Sequence, residues 1–346
     1  MIDKACLKAV LILLLTFSAF SCSKRRDVSV TAAVYHWKST FNLTDEEKQW
    51  IYSNNLKKLY LRVFDVDWNE NLKNACPVGD VTIVSKNISR IEIIPAVFIT
   101  NRTLINISCS EINTLSEKII NKVNSKLSSY NIRFNEIQFD CDWTDKTRDK
   151  YFSLLRSVKK LSSGKMISAT IRLHQVKYFS KTGIPPADRG MLMFYNMGSV
   201  ENIRTRNSIF DAQTAEKYLY NFDKYPLKLD VVLPAFSWGS LFRNGKLIAL
   251  LNEMSSEELI QTGNFTQISS GQFKCKTRTA IRGNIFYEND IIKIETVSAD
   301  LTARAAQIIS EHIKENRFTL ALYHLNKEVV KKYEKTKFEN IISCFN

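Results

Sequence analysis

Short apolar runs recur along the chain, and stretches with helical periodicity fall between several of them. The strand-like runs are Val30–Tyr35, Leu59–Asp65, Ile91–Ile99, Glu136–Asp142, Met166–His174, Met191–Tyr195, Leu229–Phe236 and Phe318–Tyr323, eight in all. The helix-period stretches include Thr44–Asn54, Ser110–Leu127, Thr147–Leu161, Ala212–Phe222 and Ala299–Glu315. Strands alternating with helices imply a parallel sheet. Eight repeats fit a closed (β/α)8 barrel better than an open, doubly wound sheet. No glycine-rich phosphate loop follows the first run, and the chain holds only ten glycines, so a dinucleotide-binding fold has little support.

One region breaks the rhythm. Between the seventh run and the helix that begins at Ala299 lie about sixty residues, 239–298, with strand-like segments around 276–282, 284–287 and 291–296. Asn289-Asp290 reads as a hairpin turn joining the last two. The expected architecture is therefore a single α/β domain over 22–346, a TIM barrel carrying a small β-rich insertion between strand 7 and its helix.

The segment Glu136–Thr144 concentrates the candidate chemistry. Ile137, Phe139 and Cys141 alternate with Gln138, Asp140 and Asp142, which puts two carboxylates on one face of a strand. Two residues along a strand rise ~6.6 Å, close enough for both to serve one site. Barrels of this kind place their chemistry where strands end and helices begin. The other strand ends are also polar or aromatic: Tyr35-His36-Trp37, Asp65-Val66-Asp67-Trp68, Thr100-Asn101-Arg102, Tyr195-Asn196, Phe236-Ser237-Trp238 and Tyr323-His324. In the fifth run, Thr170, Arg172 and His174 alternate against Ile171 and Leu173. Trp37, Trp68 and Trp143 near carboxylates, with Trp238, make a surface suited to stacking on sugar rings while acids accept from hydroxyls. Asp67 and Asp142 across the mouth form a candidate acid and base or nucleophile. Asp140 has two readings, a third catalytic carboxylate or an interior group paired with Arg172. Arg62 alternates onto the opposite side of its strand from Asp65. His174 either touches substrate or is a hydrogen-bonded pocket group. A site built from His36, Asp67, Asp142 and His174 suits a metal by ligand type, but no spacing supports it, and neither metal nor cofactor is expected.

The N-terminus bears on location. Lys4 and Lys8 precede an apolar stretch, Ala9–Phe20, then Ser21-Cys22 and the polar Ser23–Arg26. This is the layout of a secretory signal over 1–21, and the stretch is short for a membrane span. Removing 1–21 takes away Lys4, Lys8 and Asp3, so +13 of the formal +14 remains. The charges are scattered and lack an aromatic–basic single-strand-binding pattern, so nucleic acid is not an expected partner, whereas anionic lipid or acidic glycan is. Five cysteines lie beyond Cys22, with no metal spacing; Cys76–Cys109 is a candidate disulfide, and Cys141 belongs to the apolar face of its strand.

The signal with Cys22 after Ser21 resembles that of bacterial lipoproteins, which implies a lipid on Cys22 and a tether to a membrane of the cell envelope, the outer membrane above all. The order of strands resembles glycoside hydrolase family 18, the chitinase-like barrels. Asp140 and Asp142 stand at the second and third acidic positions of that family's Asp-x-x-Asp-x-Asp-x-Glu motif, and Tyr195 resembles its sixth-strand tyrosine. The chain also resembles a group of lipoproteins of Bacteroides-type bacteria that carry no assigned activity. Two departures matter. Ile137 occupies the first Asp position, and Thr144 occupies that of the Glu which acts as general acid in the family. The resemblance therefore implies an exported barrel acting on or binding a glycan. Hydrolysis would need a non-standard acid; the alternative is a barrel that binds without cleaving. A structural envelope lipoprotein without a sugar ligand is the third reading.

Overall fold

The computed structural model describes residues 28–85, 88 and 90–345. The signal and Cys22 lie outside them. Eight parallel strands close a barrel: β1 (Ser29–His36), β2 (Lys58–Asn69), β3 (Glu92–Ile99), β4 (Glu136–Asp140), β5 (Met166–Arg172), β6 (Arg189–Met193), β7 (Leu229–Pro234) and β8 (Arg317–Tyr323). Neighbours in sequence pair in parallel around the ring. β1 closes it by pairing with both β8 and β2, Ser29 opposite Arg317 and Tyr35 opposite Tyr60. All eight strands coincide with the apolar runs of the sequence. The apolar residues that alternate outward, such as Ile137 and Phe139 on β4, are fully buried under the surrounding helices.

The helices begin where side chains satisfy their free N–H groups. Thr44 and Glu47 form a reciprocal capping box on the helix Asp45–Ser53, and Ser298 caps Ala299–Ser310. The helix Arg148–Leu161 follows β4 and buries Tyr151, Leu154, Leu155 and Val158, a 3–4 spaced stripe, against the barrel.

One expectation changes along β2. Its register shifts between Arg62 and Phe64, a bulge at Val63 that resets the alternation. Arg62 and Asp65 therefore share a side and form a bidentate pair, Nε to Oδ1 at 2.7 Å. β2 also runs on past the barrel and pairs with the antiparallel strand Asn74–Val78, an excursion with no clear sequence signal.

Beyond β7 the chain forms a five-stranded antiparallel sheet in the order Lys246–Asn252, Ser237–Arg243, Ile291–Thr296, Gln272–Cys275, Phe265–Ser269. It has its own apolar cluster, including Leu241, Phe273, Phe286 and Ile292. Asn289-Asp290 is not its hairpin turn. Tight two-residue hairpins at positive φ lie instead at Asn244-Gly245, which joins Ser237–Arg243 to Lys246–Asn252, and at Arg282-Gly283, which joins Thr279–Ile281 to Asn284–Phe286 in a separate two-stranded sheet. Ile291–Thr296 instead pairs with Ser237–Arg243 and Gln272–Cys275. Asp290 takes a bidentate bond from Arg243 at 2.8 Å and accepts from the Tyr287 N–H, so it serves as a buried anchor.

The five described cysteines are free, so the Cys76–Cys109 pairing is not formed. Cys76 accompanies β2 on the antiparallel strand, and exposed Cys109 opens the turn before the helix Ile112–Ser128. Cys141 is buried in the main core. No helix among the described residues is long and apolar enough to cross a membrane.

Candidate glycan site at the barrel mouth

The interior of the barrel between β4 and β5 is a column of acids and donors. Inward residues of β4 are Glu136, Gln138 and Asp140, with Asp142 just past the strand end. Each acid takes a hydrogen bond from an inward residue of β5. Ser168 donates to Glu136 at 2.6 Å, Thr170 to Asp140 at 2.6 Å, and Arg172 forks onto Asp142, Nη2 to Oδ2 at 3.0 Å. Lys58 meets Glu136 at 2.9 Å near the base, and the Tyr35 hydroxyl donates to Gln138 at 2.5 Å. The period-2 pattern of both strands produces this column directly.

Of the two readings of Asp140, the hydrogen-bonded pair with Arg172 is not formed; Arg172 pairs with Asp142 instead. The guanidinium reaches outward along the strand and engages the carboxylate beyond the strand end. Burial would lower the Arg172 pKa, but the charge and hydrogen bonds of Asp142, aided by Asp140, carry it upward. Asp140 keeps only the Thr170 hydroxyl as hydrogen-bond donor. Burial pushes its carboxyl up to about 6, against the pull of Arg172, and the Asp142 charge adds to the rise.

Asp140 and Arg172 open into a cavity of about 170 Å³. Its aromatic walls are Trp37, Tyr195, Phe236, Trp238 and Tyr323. Tyr323 is the hub, with ring centroids 5.4 Å from Tyr195, 5.6 Å from Phe236 and 6.1 Å from Trp37. The Trp238 indole N–H donates to Glu295 at 2.8 Å, which fixes the ring. Trp238 stands on the first strand of the insertion, not at the end of β7. Tyr195 turns its hydroxyl to the Met193 sulfur at 3.1 Å. The insertion supplies one more group, Glu253, whose carboxylate accepts from Asn326 at 2.8 Å. Its backbone sits at φ 58, a left-handed conformation uncommon for glutamate. Its position in a turn far along the sequence hid it from pattern reading.

Other candidates fall outside this cavity. Asp67 is held by Arg102, Nε to Oδ1 at 3.1 Å, and by the Thr100 hydroxyl at 2.7 Å. The Arg102 hydrogen bond is the main reason its pKa lies below the usual carboxylate range. Trp68 is packed into the main core, as is Trp143. Trp143 is only 2% exposed, stacked 5.3 Å from Tyr151, with its N–H on the Thr182 carbonyl at 3.0 Å. Neither tryptophan offers the open ring face expected of it. His174 lies in the short helix Leu173–Lys177, two residues past the end of β5, because the strand ends at Arg172. It lines two further cavities, one of about 300 Å³ that shares Arg172 and Tyr195 with the first, the other of about 790 Å³ bordered by Trp143 and Thr144. Burial lowers its pKa.

Thr144 itself is exposed, its N–H bonded to the Thr147 hydroxyl at 2.9 Å. Thr147 donates in turn to Asn101 at 2.7 Å, and the Asn101 amide donates to the Asp142 carbonyl. The loop carrying the position is thus tied across to the end of β3. His36 and His324 are both neutral near pH 7, pushed down by burial to about 3 and about 4. Among the described residues no three His, Cys, Asp or Glu side chains gather so as to hold a metal.

The closed eight-stranded parallel barrel is a (β/α)8 fold similar to that of chitinases of glycoside hydrolase family 18. The sequence matches no family profile and no curated protein. The similarity is one of structure. The spore cortex-lytic enzyme SleL of Bacillus cereus shares 14% identity over 92% of this chain and 75% of its own, with a TM-score of 0.53. A chitinase from Chromobacterium violaceum shares 11% over 91% and 99%, with a TM-score of 0.54. A double mutant of a Cycas revoluta chitinase of that family, in complex with (GlcNAc)4, shares 12% over 92% and 100%, with a TM-score of 0.52.

Proposed function

We propose that this protein is a glycan-binding barrel of the cell envelope that holds an N-acetylglucosamine-containing oligosaccharide at its mouth without cleaving it. One observation carries the reading. Asp67 and Asp142, the candidate acid and base pair across the mouth, are both bound bidentately to arginines, and the family's acid position holds Thr144. An arginine-bound carboxylate is a poor proton donor, since its anion is the stabilised form. What remains is an aromatic-walled cavity with acceptor groups, the composition of a sugar-binding site. The fold is compatible with binding alone, since one similar structure is a chitinase-like agglutinin from Robinia pseudoacacia, with a TM-score of 0.51. The complex of the Cycas enzyme with (GlcNAc)4 supports the choice of ligand class.

In this reading Trp37 and Tyr323 stack on a sugar ring, and Asp140 and Glu253 accept from its polar groups. Arg172 donates while holding Asp142. The signal-like N-terminus and Cys22 supply export and a lipid tether to an envelope membrane.

A second reading has its own observation. Asp140, at about 6, is the one carboxyl in the cavity tuned toward the range of a general acid, so hydrolysis could run through it. The experiment that separates the two measures retention of the full chain on immobilised glycans alongside release of reducing ends. Retention of N-acetylglucosamine oligomers without release supports the binder. Release that disappears in Asp140→Asn would replace it with the hydrolase. Neither retention nor release on any glycan would remove both.

A further inference from the structure

The end of the barrel opposite the mouth carries a pattern that the glycan reading does not use. Among the described residues, at the first residue of seven of the eight strands, or within the three residues before it, stands a cation: Lys57 before β2, Arg90 before β3, Arg133 before β4, Lys165 before β5, Arg189 opening β6, Lys228 before β7 and Arg317 opening β8. Because the strands are parallel, all seven lie at one end of the barrel. Arg189 is committed to buried Asp230, Nη2 to Oδ1 at 2.8 Å. The other six form no ion pair among the described residues. Lys57 touches only the Asn55 amide oxygen at 2.5 Å, and Lys165 lies 5.3 Å from the Phe134 ring centroid. Five of the six are exposed and Lys165 is half-buried. The acids at this end do not cancel them. Asp188 and Asp223 are each taken by a lysine, at 2.5 Å and 3.4 Å, which leaves Glu92, Glu311 and Glu315.

A barrel needs no cation at these places. Strand entries call for turn residues, and a ring of like charges at one end costs self-repulsion that an external anionic surface relieves. The chain also enters the barrel at this end. The Ser29 N–H bonds the Asn316 carbonyl at 2.8 Å, beside Arg317. Cys22 stands seven residues before Ser29, a reach of at most about 25 Å. The intervening sequence includes Lys24, Arg25 and Arg26, so further positive charge is joined to the same end.

We propose that the base of the barrel is a docking face for an anionic bilayer surface, which seats the body with its mouth directed away from the membrane. The lipid tether of the preceding section brings this face within reach, but the attraction rests on the rim and is testable without it. Juxtamembrane lysines and arginines add affinity for anionic leaflets roughly one by one. The mouth would then face whatever glycan lies beyond the membrane.

The test uses the full chain with vesicles of phosphatidylcholine alone or with about one third phosphatidylglycerol, at low and high salt. Three proteins are compared: the parent, the rim variant Lys57→Gln/Arg133→Gln/Lys228→Gln/Arg317→Gln, and a control of equal charge change on the insertion, Lys246→Gln/Lys274→Gln/Lys276→Gln/Arg278→Gln. The parent should partition more strongly onto anionic vesicles, and salt should remove the difference. The rim variant should lose at least about 100-fold of that preference, and the control should keep it. Circular dichroism and melting confirm that each folds, and unchanged glycan retention by the rim variant separates this inference from the glycan reading. Equal loss in the rim and control variants would show that net charge alone acts. Parent-like binding by the rim variant, or capture by a soluble acidic polysaccharide with no preference for anionic vesicles, would likewise overturn the proposal.

Discussion

Arg172 forks onto Asp142 and leaves Asp140, two residues back on the same face, with only the Thr170 hydroxyl as hydrogen-bond donor. This choice of partner sets the electrostatics of the mouth. The outer carboxylate is paired with its arginine, while the inner one carries the burial penalty.

The sign of a stability effect follows. Asp140 is raised to about 6 in the folded state, so between its unfolded value of about 4 and that value the folded chain binds more protons than the unfolded one. Its contribution to stability is present below about pH 4 and is lost as pH rises through about 6. Asp140→Asn keeps the acceptor for Thr170 and removes the ionisation. The variant should be more stable than the parent at pH 7.5, by roughly 1–3 kcal/mol, and show a flatter pH dependence between 4 and 7. Urea titrations across that range test it; a variant less stable than the parent at pH 7.5 would mean Asp140 is ionised and well paired.

The tryptophans divide by environment. Trp37 borders the cavity against Tyr35 and Tyr323, whereas Trp143 is stacked in the core. Trp37→Ala should lower glycan retention by about 5- to 30-fold, as loss of a stacking platform of roughly 1–2 kcal/mol implies, with a modest change in melting temperature. Trp143→Ala should cost about 3–5 kcal/mol of stability. Retention assays and denaturant melts on the two variants give opposite patterns if this division is right.

The barrel was legible because its signals are local. Each of the eight strands is an apolar run, and the period-2 faces of β4 and β5 foretell the column from Glu136 to Asp142. The bulge at Val63 was not legible, since a one-residue reset leaves no mark in composition yet brings Arg62 onto Asp65. Partner choice among charges was not legible either. Arg172 had two carboxylates within its strand pair, and only side-chain reach in three dimensions selects Asp142. The three tryptophans looked alike in sequence, but Trp143 packs on the helix Arg148–Leu161 that follows it and loses its free face. Glu253 had no motif to mark it, because the insertion brings it to the mouth from a turn between its own elements.

Glu253 offers a test of strain kept for a purpose. At φ 58, glycine would be the easier residue. Glu253→Gly should leave stability unchanged or raise it by up to about 1 kcal/mol, reduced by the lost bond from Asn326. Glycan retention should fall several-fold in the same variant. A loss of retention with no loss of stability would identify a ligand-contacting carboxylate; unchanged retention would assign Glu253 to fixing the loop at Asn326.

The missing acid can be put back. Thr144→Glu restores the side chain found at that position in the chitinase-like motif, on a loop already tied by Thr147 and Asn101. Restoring it alone should not produce hydrolysis, because Asp142, next in the motif, remains clamped by Arg172 and cannot turn toward the new carboxyl. Joining Thr144→Glu with Arg172→Met frees Asp142 and removes the competing cation, so any gain of reducing-end release should require both changes. Release by Thr144→Glu alone would show that the clamp is no barrier and that a single substitution makes this barrel a hydrolase. Release by neither, with retention of glycan intact, would mean that the ligand lies too far from the loop for a carboxyl there to reach its linkage.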